Sequence, residues 1–117
     1  RFALDATAPQ SAVSTPLFFL PGADRFLVSW VGGDTLSGVD RYHVDFRPVG
    51  GAWTRWLTDT RLQSAHFLPP VRNGVYEFRS IAVDMAGNVE AASNNSDAST
   101  SGAVALTKST YYPVVPR

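Results

Sequence analysis

Cysteine is absent from the 117 residues, which excludes disulfides and thiolate metal centres. An apolar core must therefore hold the fold. A chain of this length buries roughly two-thirds of the surface that its unfolded form exposes, enough to do so. Net charge is absent as well: ten lysines and arginines are balanced by ten aspartates and glutamates. That leaves no basic footprint for a nucleic-acid backbone. Lysine itself is scarce, with Lys108 the only one. The remaining bases are arginines, whose planar guanidinium pairs with carboxylates and stacks on aromatic faces. No apolar run approaches the roughly twenty residues of a membrane-spanning helix. The sequence starts at Arg1 without a charged-then-apolar leader, so we read it as a piece of a larger protein whose secretion signal lies elsewhere.

What is present is aromatic and alternating. Hydrophobic residues make up 44% and aromatics 12%, too many large apolar side chains for a disordered chain. Phe26, Val28 and Trp30 fall on one face of an extended FLVSW segment. In VDRYHVDFR (Val39 to Arg47), Tyr42, Val44 and Phe46 point one way and His43, Asp45 and Arg47 the other. In VYEFRSIAVD (Val75 to Asp84), Tyr76, Phe78, Ser80 and Ala82 oppose Glu77, Arg79, Ile81 and Val83. Period-two alternation of this kind marks half-buried antiparallel strands. Turn chemistry separates the runs at Pro21-Gly22, Gly32-Gly33-Asp34, Ser37-Gly38, Gly50-Gly51, Pro69-Pro70, Asn73-Gly74 and Gly87-Asn88. Short strands with turns every eight to twelve residues predict an all-β antiparallel β-sandwich. Residues 1–9 read as an inter-domain connector, 10–107 as the sandwich and 108–117 as an extended tail. Within the sandwich, Asn94 to Gly102 reads as a polar loop leading to a last strand near Ala103 to Thr107. The expected core contains Trp30, Tyr42, Val44, Phe46, Tyr76, Phe78 and Ala82.

No residue pattern points to catalysis. His43 and His66 are far apart in sequence, and no nucleophile elbow, phosphate loop or metalloprotease helix motif is present. The chain is expected to be non-enzymatic and to carry no cofactor. His43 is expected on the solvated face. Asp34, Asp84 and Asn88, with Asp40 and Glu90 nearby, offer oxygens on loops that a sandwich brings to one end. Calcium needs six to eight such ligands. The same residue types serve turns by bonding their own backbone, and DMAGN (Asp84 to Asn88) has the composition of a tight turn. Folding is therefore expected to need no calcium. Trp53 and Trp56 are the sharpest surface candidates. Three apart on a strand, they point to opposite faces unless a bulge intervenes, so one enters the core and one meets the surface. An outward indole is either a platform for a sugar or partner, or it is covered by Arg47 or Arg79 through cation–π stacking, with Arg79 the expected partner. Ile81 and Val83 on the same outer face would extend the surface into a patch.

These residues together resemble the fibronectin type III family, which implies a seven-stranded antiparallel β-sandwich of the immunoglobulin-like kind. Trp30 matches that family's second-strand core tryptophan, and Tyr42, Val44 and Phe46 match its inward third-strand residues. Gly74 to Phe78 followed by Ala82 resembles its sixth strand, where the tyrosine starts a tyrosine corner. The chain is most similar to repeats of bacterial secreted multidomain proteins. Their pattern is D-x-x-S-G-V-x-x-Y-x-V, then W-x-x-W, then Y-x-F-R-x-x-A-x-D-x-A-G-N-x-E. Asp34, Ser37, Gly38, Val39, Tyr42 and Val44 supply the first part here. Trp53 and Trp56 supply the second, and Tyr76 to Glu90 the third. Two segments depart from it: FLPPVRNGVY (Phe67 to Tyr76) is longer than the usual corner, and PLFFLPGAD (Pro16 to Asp24) carries an extra apolar pair.

The resemblance implies a non-enzymatic spacer and interaction module, outside the cell or on its surface. Its partners would be neighbouring domains of the same chain, and an exposed Trp53 or Trp56 would serve another protein or a polysaccharide. The alternative function is a carbohydrate-binding module built on an exposed tryptophan.

Overall fold

The computed structural model describes residues 8–33 and 38–105. Among these residues the chain forms nine strands, one 3-10 turn and no α-helix. In order they are β1 (Gln10–Val13), β2 (Phe18–Leu20), β3 (Arg25–Gly33), β4 (Val39–Pro48) and β5 (Thr54–Thr60). There follow β6 (Ser64–Phe67), β7 (Tyr76–Asp84), β8 (Ala98–Ser99), the 3-10 turn Thr100–Gly102 and β9 (Val104–Ala105).

Two sheets face each other. In the first, β3 carries β6 along one edge, while β1 and β2 lie end to end along the other. Pro16 falls between β1 and β2, and a residue without an N–H cannot continue a ladder. β9 adds to β2 in parallel, with Phe18 opposite Val104 and Phe19 opposite Ala105. The second sheet runs β5-β4-β7-β8, all antiparallel. The count of nine, against seven expected, arises from two interruptions. Pro16 splits the first edge, and the 3-10 turn separates β8 from β9. The stretch Asn94 to Gly102, expected as a loop, thus contains β8 and that turn. Pro9, assigned to the connector, is fully buried against the sandwich. The rest of the connector, the tail and Asp34 to Ser37 lie outside the described residues.

Residues of both sheets meet in one cluster: Val13, Leu17, Val28, Trp30 and Phe67 from the first, and Tyr42, Val44, Tyr76, Phe78 and Ala82 from the second. Phe46 packs against it while only partly buried. Alternation placed these side chains inward, and the rings then settle edge to face, as their quadrupoles prefer. Phe67 and Phe78 lie 4.7 Å apart at 88°. Trp30 meets Tyr42 at 6.5 Å and Trp56 at 6.4 Å. Its buried N–H donates to the Leu62 carbonyl at 2.9 Å, which removes the penalty of hiding a donor. The Tyr76 hydroxyl accepts from the Val71 N–H at 3.0 Å, tying the long segment before β7 to the core.

The pairing of β4 with β5 slips between Val44 and Asp45, a bulge that sets Leu57 opposite Val44 and Arg55 opposite Asp45. Trp56 lies between those two, so Trp56 and Leu57 both pack on the core.

Ile81 and Val83 correct the sequence expectation. Expected on an outer surface patch, they are buried instead, at 4% and 1% exposure. β7 is an inner strand, and on its outer face His43 lies opposite Ile81 and Arg41 opposite Val83. Long or ring side chains at directly opposed positions cover apolar neighbours while keeping their polar ends wet. A bridge from Val83 to Val89 adds a further strip of backbone beside β7.

Candidate functional site: a tryptophan covered by two arginines

Trp53 stands immediately before β5, on the side of the sheet away from the core. Its ring lies under two guanidinium groups, Arg47 at 4.2 Å and Arg79 at 4.4 Å from the centroid. Trp56 takes the opposite course, with its ring 5.3 Å from Phe67 and 5.9 Å from Phe78. The bulge brings Leu57 to the core beside Trp56 and leaves the spacing from Trp53 to Trp56 undisturbed, so the two tryptophans take the opposite faces that alternation over three residues predicts.

Carboxylates hold the arginines in place. Arg47 Nε donates to Glu77 at 2.7 Å across the β4–β7 pair. Arg79 Nε donates to Asp45 at 2.9 Å, and its Nη1 donates to the Ser93 carbonyl at 2.7 Å. The second oxygen of Asp45 accepts from Arg55 Nε. Asp45 is 2% exposed, and a carboxylate so deeply covered is tolerable only when paired on both oxygens. Trp53 Nε1 is buried and has no hydrogen-bond partner among the described residues. The guanidinium stacks, rather than its own N–H, fix the indole.

The ladder continues past Asp45 toward the other end of the sheet. His43 Nδ1 accepts from the Asp59 N–H at 3.1 Å, which requires a neutral imidazole with its proton on Nε2. Burial, and then the positive charge of Arg55, push the His43 pKa below its ordinary 6.5. The expectation of a fully solvated His43 is thus corrected: its side chain is 16% exposed. Beyond it, Arg41 pairs with Asp40 and Asp59, both at 2.8 Å. Hydrogen bonds from Arg41 and Arg61 hold the Asp40 carboxyl below its usual range.

The oxygens considered for calcium are engaged elsewhere. Asp84 is 1% exposed and accepts from the Ala86 and Asn88 N–H groups and from the Asn88 side-chain amide, so it closes the DMAGN turn. Glu90 accepts from the Ser11 N–H, the Ser11 hydroxyl and the Ala82 N–H, clamping β1 to β7. Asp34 lies outside the described residues. Among the described residues no three His, Asp or Glu side chains gather as a metal site would require.

No family model, curated protein or solved structure matches this chain.

Sequence reasoning reaches Trp53, Arg47 and Arg79 but not Asp45, Glu77, Arg55 or the Ser93 carbonyl, which hold those arginines. Asp45 was read only as an outward strand residue, although an aspartate flanked at i−2 and i+2 by His43 and Arg47 already suggested a charge ladder. The Ser93 carbonyl had no signal, because a backbone acceptor on a distant loop leaves none in composition. Ile81 and Val83 are buried rather than part of an open patch.

Proposed function

We propose that this chain is a non-enzymatic spacer module of the fibronectin type III kind, holding neighbouring domains apart in a larger secreted or surface protein. One observation carries the reading: the first and last described strands, β1 and β9, lie at opposite ends of β3. Gln10 pairs with Gly33 at the end of that strand, whereas Ala105 lies beside Phe19, which pairs with Phe26 near its start. At about 3.3 Å per residue the two points are on the order of 20 Å apart along the strand. A rigid sandwich crossed end to end sets a separation.

The strand order supports the sandwich that this reading needs. The first-edge strands, β3, β6 and β9 form one sheet and β5, β4, β7 and β8 the other, two antiparallel-rich sheets as a sandwich requires. Tyr76 binding the backbone five residues upstream fits a tyrosine corner. The rival function, a sugar platform at Trp53, is disfavoured because guanidinium groups already stack on that indole.

The absence of cysteine makes the test direct. Dyes placed on Gln10→Cys and Ala105→Cys, both exposed positions, should report one energy-transfer distance that stays constant in urea up to the global transition. A distance that drifts well before the transition, or two populations in buffer, would show a hinge and overturn the spacer reading.

A further inference from the structure

The two segments that depart from the family pattern, Pro16 to Asp24 and Phe67 to Tyr76, meet in space. Between the β2–β3 turn and the β6–β7 segment lies a pocket of about 460 Å3, inside the roughly 300–1,000 Å3 range of small-ligand sites. Phe19, Phe26 and Leu68 supply its apolar lining, and Asp24, Arg72 and Asn73 its polar lining. The two phenyl rings sit 5.0 Å apart at 53°.

Both walls are fixed by backbone hydrogen bonds. On one side the Ala23 and Asp24 N–H groups donate to the Leu20 carbonyl at 3.0 and 2.9 Å. On the other, Gly74 N–H donates to the Val71 carbonyl at 3.0 Å, while the Val71 N–H donates to the Tyr76 hydroxyl. Gly74 permits that wall: a Cβ there would come within 2.9 Å of the Tyr76 ring and 3.1 Å of the Val71 carbonyl. The pocket is thus preformed, which lowers the ordering cost of binding.

We infer that this pocket is a binding site for short neutral saccharides. Its polar groups are matched in kind: Asp24 only accepts, Arg72 only donates, and Asn73 does both. Their charges cancel. A free anion is drawn by Arg72 but repelled by Asp24, and a cation meets the reverse. A wholly apolar ligand would cover three polar side chains without partners, at a cost. A sugar has what remains: hydroxyls that both donate and accept, and C–H surfaces that pack on aromatic rings. The site is separate from Trp53 and independent of the spacer reading.

Saturation-transfer NMR on the full chain tests this with maltose, cellobiose, lactose and N,N′-diacetylchitobiose. At least one should receive saturation on its ring protons. Asp24→Asn and Arg72→Gln, both exposed and expected to melt as the unaltered chain does, should each weaken that sugar about tenfold, the scale of one charge-assisted hydrogen bond. Trp53→Phe should leave its affinity unchanged. Transfer to none of the four overturns the proposal, as does affinity that survives both pocket substitutions. Binding of inorganic phosphate or digalacturonate in place of the neutral sugars would also overturn it, revealing an anion site at Arg72.

Discussion

In the sheet formed by β5, β4, β7 and β8, the inner strands β4 and β7 are covered on both faces, but by different chemistry. On the inner face Tyr42, Val44, Tyr76, Phe78 and Ala82 pack against the other sheet in a cluster of hydrophobic residues, while Glu90 and Asp97 each accept hydrogen bonds from both β1 and β7. On the outer face Asp45, Arg79, Arg47, Glu77 and Arg55 interlock over Trp53, and His43 and Arg41 lie over Ile81 and Val83. No second layer of structure is needed there. Arginine makes this workable, because one side chain covers a ring with its plane and holds a carboxylate with its edge. A chain with nine arginines and a single lysine is suited to that arrangement.

The faces should respond differently to truncation. The largest loss is expected inside. Trp30 is fully buried, and Trp30→Ala removes its ring contacts together with the hydrogen bond to Leu62, so it should cost about 3–5 kcal/mol in urea melts. A loss below about 1 kcal/mol would take Trp30 out of the core and undo the assigned register.

Intermediate losses should define the outer ladder. Asp45→Asn removes the charge shared by Arg55 and Arg79 and should cost about 2–3 kcal/mol. Arg47→Ala, which uncovers Trp53 and frees Glu77, should cost about 0.5–2 kcal/mol. Arg79→Ala should exceed it, because Asp45 also loses a partner. A double-mutant cycle between Arg47→Ala and Trp53→Ala isolates the stacking. Coupling indistinguishable from zero would mean that Arg47 merely lies beside the ring.

How much of this was legible follows from the same contrast. Inward positions such as Trp30, Tyr42 and Phe78 were readable because burial by a facing sheet enforces strict alternation. The opposite facing of Trp53 and Trp56 was readable from their spacing. Ile81 and Val83 were misplaced because alternation distinguishes faces, not exposure. A strand in the middle of a sheet can be covered on both sides, and here the cover is Arg41 and His43 on the neighbouring strand. The partner of Tyr76 was not legible, since it depends on the path of an unusually long connection. Nor was the pocket, which joins segments some fifty residues apart, each visible only as a departure from pattern.

The smallest expected effect is the most specific to the outer face. The inner cluster has nothing that titrates near neutrality, so a stability change between pH 7 and 5 that depends on one histidine must come from outside. His43 is surrounded by Arg41 and Asp45 on its own strand, Arg55 and Asp59 on β5, and Ile81 on β7. Burial, then Arg55, lower its folded pKa below 6.5, while Asp59 and Asp45 oppose the shift. Above 6.5 the imidazole is neutral whether the chain is folded or not, and it adds no pH dependence. As pH falls through 6.5 the unfolded chain takes up the proton first, so stability declines until the folded pKa is passed, and the term then levels off. His43→Gln should remove that slope while leaving carboxylate titrations at lower pH in place. The difference between unaltered chain and variant, followed by urea melts across this range, isolates the one group, and the His43 ring signals in NMR should titrate below 6.5. A midpoint at or above 6.5 would mean that the imidazole is solvated, and that the cover over Ile81 is looser than the two-faced sheet requires.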